Sequence, residues 1–304
     1  MKKIIIIVIS IIVIIIGWFF FFGHKQSLKP SLTHKMKIYT SFYPLYFFAA
    51  QIGGEKADVL NITPAGVEPH DYDPSAQDIA RIEQGNMLLL NGGVEAWGDK
   101  MKENLKGTRV AVVVAGEGLI TKQDLPAGRQ DPHVWLNPQL AKKEVAKITA
   151  EYIAIDQGNA SHYRKNENVL DNKLDKLDAQ YKQALSSCNS RDIVTSHAAF
   201  AYLAQQYNLR QISIAGLSPD AEPSAQQLAD VADFAKKNDM KYIFFESLVS
   251  PKLSQTIAQE VGAKTLVLDP LEGIPKEKIQ QGSNYFTVME QNLKNLQLAL
   301  QCQK

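Results

Sequence analysis

Three of the six histidines fall where a chain of alternating strands and helices presents its working side chains. His70 lies in EPHDYDPS, behind an apolar run ending near Thr63; His133 lies in DPHVWLNP; His197 closes IVTSH ahead of AAFAYLAQQY. In DPHVWLNP each proline restricts its own φ and the residue before it, and Asn137 followed by Pro138 makes a helix start, so His133 is held on a stiff approach. Taken alone, the octapeptide suits an ordinary helix start with a half-buried histidine as well as it suits a metal ligand. Asp269, at the end of the apolar run in LVLDP, is a fourth candidate. Three imidazoles and one carboxylate form a nitrogen-rich set suited to tetrahedral Zn²⁺. The four positions are too far apart for a local spacing rule to separate them from four unrelated residues. His24 and His34 sit in a polar stretch without other signals, and His162 reads as a solvated helix residue.

The elements that must carry these side chains alternate. Residues 37–42, 57–63, 87–91 and 109–114 read as strands, with helices over 45–52, 75–84 and 94–105 between them. A second set follows, with strands over 192–196, 211–214, 242–245 and 265–268 and helices over 198–207, 224–238 and 251–261, and a closing helix over 285–300. This rhythm predicts an α/β protein of two similar lobes with mainly parallel four-stranded sheets. Between the sets, Leu170, Leu174, Leu177 and Tyr181 recur at helical spacing while Asp171, Lys173, Asp175, Lys176 and Asp178 occupy the other faces. A single rigid helix over about 161–187 would run roughly 40 Å at 1.5 Å per residue and join the lobes. The expected boundaries are an anchor or signal over 1–23, a tether over 24–35, a first lobe over 36–160, a linking helix over 161–188 and a second lobe over 189–304. Side chains at the carboxyl ends of the strands of two such lobes converge on the crevice between them.

Composition narrows the function. The 304 residues are 45% hydrophobic and 21% charged, enough for a sizeable core, and the net charge of +1 provides no field for nucleic acid. No glycine-rich stretch leads into Lys-Ser/Thr or completes a dinucleotide fingerprint, so neither nucleotide nor nucleic acid is an expected partner. Lys2 and Lys3 precede about 19 almost wholly apolar residues, long enough to cross a bilayer, which reads as an uncleaved anchor rather than a signal peptide. The two cysteines, Cys188 and Cys302, are compatible with one disulfide in an exported protein, two separate buried thiols being the alternative.

Taken together, DPHVWLNP, EPHDYDPS, VTSHAAFAYLAQQY, AGLSPDAEPS, YIFFESLVSPKL and LVLDPLEG resemble the ZnuA/TroA-like family, the metal-binding receptors of bacterial zinc and manganese ABC importers. The resemblance covers about residue 36 to the end. It implies two α/β lobes joined by a long helix, one metal at their interface, and His70, His133, His197 and Asp269 as ligands. Manganese members are similar but carry a glutamate at the third position; His197 keeps the set nitrogenous and favours Zn²⁺, with Mn²⁺ as runner-up. Glu246 is placed near the site, where it would accept a hydrogen bond from a ligand imidazole. Trp135 reads as packing that limits solvent access, and Glu222 and Asp220 as helix-capping or interlobe residues. Two features depart from the family: residues 116–130 contain no histidine, and no cysteine follows the apolar segment to take a lipid.

The implied function is an extracytoplasmic receptor, membrane-anchored or exported to the periplasm. It would hand zinc to a permease driven by a separate ATPase, and is not an enzyme. Four protein ligands leave no position for a catalytic water. A zinc hydrolase with Asp269 as base lacks a supporting HExxH or nucleophile motif. A surface adhesin ranks last.

Overall fold

The computed structural model describes residues 35–121, 130–219 and 221–303. The expected anchor, the tether apart from Lys35, His24, His34, Asp220 and residues 122–129 of the loop ahead of His133 lie outside the described residues. Among the described residues no helix is long and apolar enough to cross a membrane.

The first half builds one parallel sheet from β1 (Met36–Thr40), β2 (Ala57–Asn61), β3 (Met87–Leu90) and β4 (Ala111–Val114), in the order β2-β1-β3-β4. Helices α1 (Tyr43–Gly53), α2 (Ala76–Glu83) and α3 (Gly98–Asn104) alternate with the strands. The MLLL of β3 is buried at every position, as a central strand covered on both faces must be. The chain enters α2 through a capping box in which Ser75 accepts the Asp78 N–H and Asp78 takes the Ser75 N–H. Downstream, α4 (Pro138–Ile155) starts as its sequence predicts, with Pro138 in the first turn and the Asn137 side chain accepting the N–H groups of Gln139 and Leu140.

Next comes α5 (Ala160–Ala184), 25 residues and so about 37 Å long. It buries Tyr163, Leu170, Leu174, Leu177 and Tyr181, packing against α1, α4 and the last helix, α10 (Tyr285–Ala299). His162 on α5 is half-buried rather than solvated, and its Nε2 donates to the Gly53 carbonyl at 3.1 Å.

In the second half β5 (Asp192–Thr195) pairs with β6 (Arg210–Ser213) and β7 (Tyr242–Phe245) with β8 (Lys264–Val267), all parallel. The helices of this half are α6 (Ala201–Gln206), α7 (Ala225–Lys237), α8 (Lys252–Val261) and α9 (Lys276–Gln280). Strand β5 lies against β7, yet no ladder joins the two pairs, where a four-stranded sheet was expected. Buried Ile193, Val194, Ile243 and Phe244 on these strands pack at the seam instead. Ser224 caps α7 in a capping box with Gln227, a job expected of Glu222. The helix expected from Ala198 begins only at Ala201, because the preceding groups are claimed elsewhere. Ala198 N–H donates to Gly216 O at 2.8 Å and Phe200 N–H to Gln211 Oε1 at 3.1 Å, while His197 O accepts from Thr195 and Gln211. Those bonds fix the turn that presents His197.

One apolar core runs through both halves and includes Phe42, Trp135, Tyr163, Phe200, Phe244 and Tyr285. Each of the three phenylalanines, fully buried, contributes about 1.5–3 kcal/mol. Cys188 and Cys302 form a disulfide across 114 residues of chain, tying the end of the spine to the C-terminus.

Candidate metal centre

His70 stands in the loop after β2, held by its own N–H donating to Glu68 Oε1 at 3.2 Å. His133 is fixed twice by Asp131, whose Oδ1 accepts the His133 backbone N–H at 2.9 Å and the ring Nδ1–H at 2.7 Å. The rigidity read into DPHVWLNP thus has a further source, a carboxylate two residues upstream. His197 donates from Nδ1 to Glu246 Oε1 at 2.8 Å, and Ser196 donates its hydroxyl to the same oxygen. With Nδ1 engaged in both rings, the neutral tautomer of His133 and of His197 keeps its lone pair on Nε2.

The Nε2 atoms of all three rings converge on one oxygen, Glu272 Oε1, at 3.2 Å from His70, 3.0 Å from His133 and 3.4 Å from His197. For a cation bound tetrahedrally at 2.0–2.1 Å, neighbouring ligand atoms stand roughly 3.3 Å apart, close to these separations. His133, His197 and Glu272 are buried, and His197 Nε2 and Glu272 Oε2 have no hydrogen-bond partner. Buried polar atoms left in that condition are costly unless something charged completes them, and a dication does so for imidazole and carboxylate alike.

The same groups also set one another's protonation. Burial alone would lower His197, but Glu272 and Glu246 outweigh it and raise the imidazole well above its ordinary value; Asp131 and Glu272 likewise raise buried His133. Burial opposes the charge on Glu272, yet His197, His133 and His70 hold its carboxyl well below the usual range. Glu68 is pushed up to about 9 by burial and by Glu272. The pocket thus gathers carboxyl and imidazole groups whose protonation states depend on one another. A cavity of about 320 Å³, with Tyr46, Leu60, Ile279 and Glu272 in its lining, adjoins it.

Asp269, the carboxylate expected beside the histidines, faces elsewhere. Its Oδ2 accepts from Ser247 and its Oδ1 accepts the Leu271 N–H at 2.8 Å. Glu272, three residues on in the same LVLDPLEG motif, meets the imidazoles instead. The chain turns between the two, and only the second carboxylate looks back at the cleft. Asp131 was also missed; it stands in the quoted octapeptide, and its spacing to His133 is the one signal that was available. Trp135 is fully buried with its ring 5.1 Å from His133, and its indole N–H donates to Pro270 O at 2.8 Å.

Two parallel-stranded lobes on a helical spine, with imidazoles gathered at the carboxyl ends of strands, define the class of two-lobed metal receptors. Within that class the chain belongs to the ZnuA family, described as zinc-uptake complex component A, periplasmic, whose pattern matches residues 38–299. It is 39% identical over 284 residues to the high-affinity zinc uptake system protein ZnuA of Bacillus subtilis, covering 88% of each chain. The crystal structure of the Zn(II)-bound ZnuA-like domain of Streptococcus pneumoniae AdcA is similar, with a TM-score of 0.76 and 41% identity over 88% of this chain and 99% of that one. The laminin-binding protein Lmb of Streptococcus agalactiae, described as a bifunctional protein with adhesin and metal transporting activity, has a TM-score of 0.78 at 32% identity, over 87% of this chain and 99% of that one.

Proposed function

We propose that this protein is an extracytoplasmic receptor that captures Zn²⁺ between its lobes through His70, His133, His197 and Glu272 and delivers it to an ABC importer permease driven by a separate ATPase. The observation that carries the reading is the convergence of three Nε2 atoms on Glu272 Oε1 within 3.4 Å. Three nitrogens and one oxygen favour zinc over manganese, which prefers an oxygen-rich shell. The ligand set is complete without water, as suits a carrier rather than a hydrolytic centre. We read 36–160 and 189–304 as the lobes and 161–188 as their link, with the apolar residues near the N-terminus holding the receptor at the outer face of the membrane. Family membership and the zinc-uptake names of the relatives support the extracytoplasmic placement.

Zinc titration of the purified full chain, with metal analysis, tests the reading. It predicts close to one Zn²⁺ per chain and weaker binding of Mn²⁺. Unchanged zinc affinity in His70→Ala, His133→Ala and His197→Ala alike would overturn it, and tighter binding of Mn²⁺ than Zn²⁺ would reassign the metal.

A further inference from the structure

The loop that brings Glu272 to the imidazoles is held in a conformation its residues do not choose. Leu271 has φ of +60°, the left-handed region that a side chain with a Cβ rarely adopts, and it is fully buried. Three contacts hold the chain there. Buried Asn292 on α10 grips the Asp269 backbone from both sides, accepting its N–H at 2.9 Å and donating to its carbonyl at 2.7 Å. Trp135, from the first half of the chain, donates its indole N–H to the Pro270 carbonyl at 2.8 Å. The Asp269 side chain reaches over Pro270 to accept the Leu271 N–H at 2.8 Å, while Ser247 at the end of β7 orients that carboxylate. This last bond closes the turn itself. Without it Leu271 has nothing local to keep it left-handed, and the backbone relaxes toward the ordinary region. Such a change at one residue redirects the next, and the next residue is Glu272.

We infer that Asp269 is a positioning residue that sets the left-handed turn at Leu271 and so aims the Glu272 carboxylate at His70, His133 and His197. The inference rests on the reading of Glu272 as a metal ligand. It assigns Asp269 a role through backbone geometry rather than through direct bonding to the cation. An acceptor at Oδ1 is all the turn requires, so the charge of Asp269 is dispensable and its oxygen is not.

The test uses the full chain with Co²⁺ in place of Zn²⁺, read by the intensity and position of the visible d–d bands, alongside zinc affinity. The variants are Glu272→Ala, Asp269→Ala, Asp269→Asn and the double alanine. Asp269→Asn should retain the wild-type cobalt spectrum and bind zinc within about threefold of wild type, since the amide oxygen still caps Leu271. Asp269→Ala should lose roughly 10–100-fold in zinc affinity and give the cobalt spectrum of Glu272→Ala, and the double variant should bind no more weakly than Glu272→Ala alone. If Asp269→Asn binds as poorly as Asp269→Ala, or if the two alanine losses add, Asp269 acts on the metal directly and the positioning role is wrong. If Glu272→Ala leaves spectrum and affinity unchanged, the ligand reading itself fails, whatever the Asp269 variants do.

Discussion

The two halves of the molecule present histidines to the same point by different means. In the first, each histidine is served by an acidic residue two positions upstream: Glu68 holds the His70 backbone and Asp131 holds both the backbone and the ring of His133. In the second, His197 is oriented by Glu246, 49 residues away at the end of β7, and the remaining ligand candidate, Glu272, rides on a loop held by Asp269, Asn292 and Trp135. The first half assembles its share of the site within short peptides. The second assembles it only after β5, β7 and β8 have docked. Local construction gives ligands that are positioned whenever their peptide is folded, and long-range construction makes ligand geometry depend on tertiary packing.

The comparison can be broken first at the ligands. His133→Ala and His197→Ala should each cost more zinc affinity than the roughly 10–100-fold that outer partners command, measured by competition with a chelator. Near-equal losses would show that the halves contribute comparably once the metal is bound. One step outward, Asp131→Ala and Glu246→Ala should fall within about 10–100-fold. Asp131→Ala should be the worse of the two, because it releases backbone and ring together. A reversed order would mean that local construction confers no advantage.

Proton competition sharpens the contrast further. Zinc requires neutral imidazoles, and in the metal-free site both His133 and His197 are raised above their ordinary value, His197 by the wider margin. Protons therefore compete from above pH 6.5, and zinc affinity should fall as pH is lowered from about 8 toward 6, with proton release on binding by calorimetry. The metal-free protein has the opposite sign. Its imidazolium–Glu272 pairing stabilises the fold most between the ordinary carboxyl and histidine values of 4.5 and 6.5; it is lost as pH rises through the raised histidine values and again as pH falls through the lowered Glu272 value. A zinc affinity flat between pH 8 and 5 would contradict the first statement, and an unfolding stability of the metal-free protein that does not fall as pH rises above 6.5 would contradict the second.

The smallest expected effect on zinc is at the disulfide. Cys188→Ser with Cys302→Ser should lower unfolding stability by about 2–5 kcal/mol and leave zinc affinity within a few-fold, since the bond ties the spine to the C-terminus away from the cluster. A large loss of affinity would show that α10, which carries Asn292, transmits strain to the Glu272 loop.

The same contrast governs what could be read from residues alone. Strand and helix order, the spine and the Asn137 cap were legible because periodicity and capping act over a few residues. The three histidines were legible because each sits in a motif at a strand-to-helix transition or in the loop leading into one. The carboxylate that meets them was not: LVLDPLEG offers two carboxylates three residues apart, and the one that faces the cleft is decided by the left-handed turn at Leu271, which no residue type there announces. The short α6 escaped for a similar reason, since Gln211 on the neighbouring strand takes the backbone groups that a helix would have used.

Zinc K-edge X-ray absorption on the full chain loaded with one equivalent of Zn²⁺ tests the central claim most directly. The account predicts four light-atom ligands at about 2.0–2.1 Å, with outer-shell scattering from three imidazoles in the wild type and from two in His197→Ala. A five- or six-coordinate, oxygen-dominated shell, or an imidazole count unchanged in His197→Ala, would contradict it.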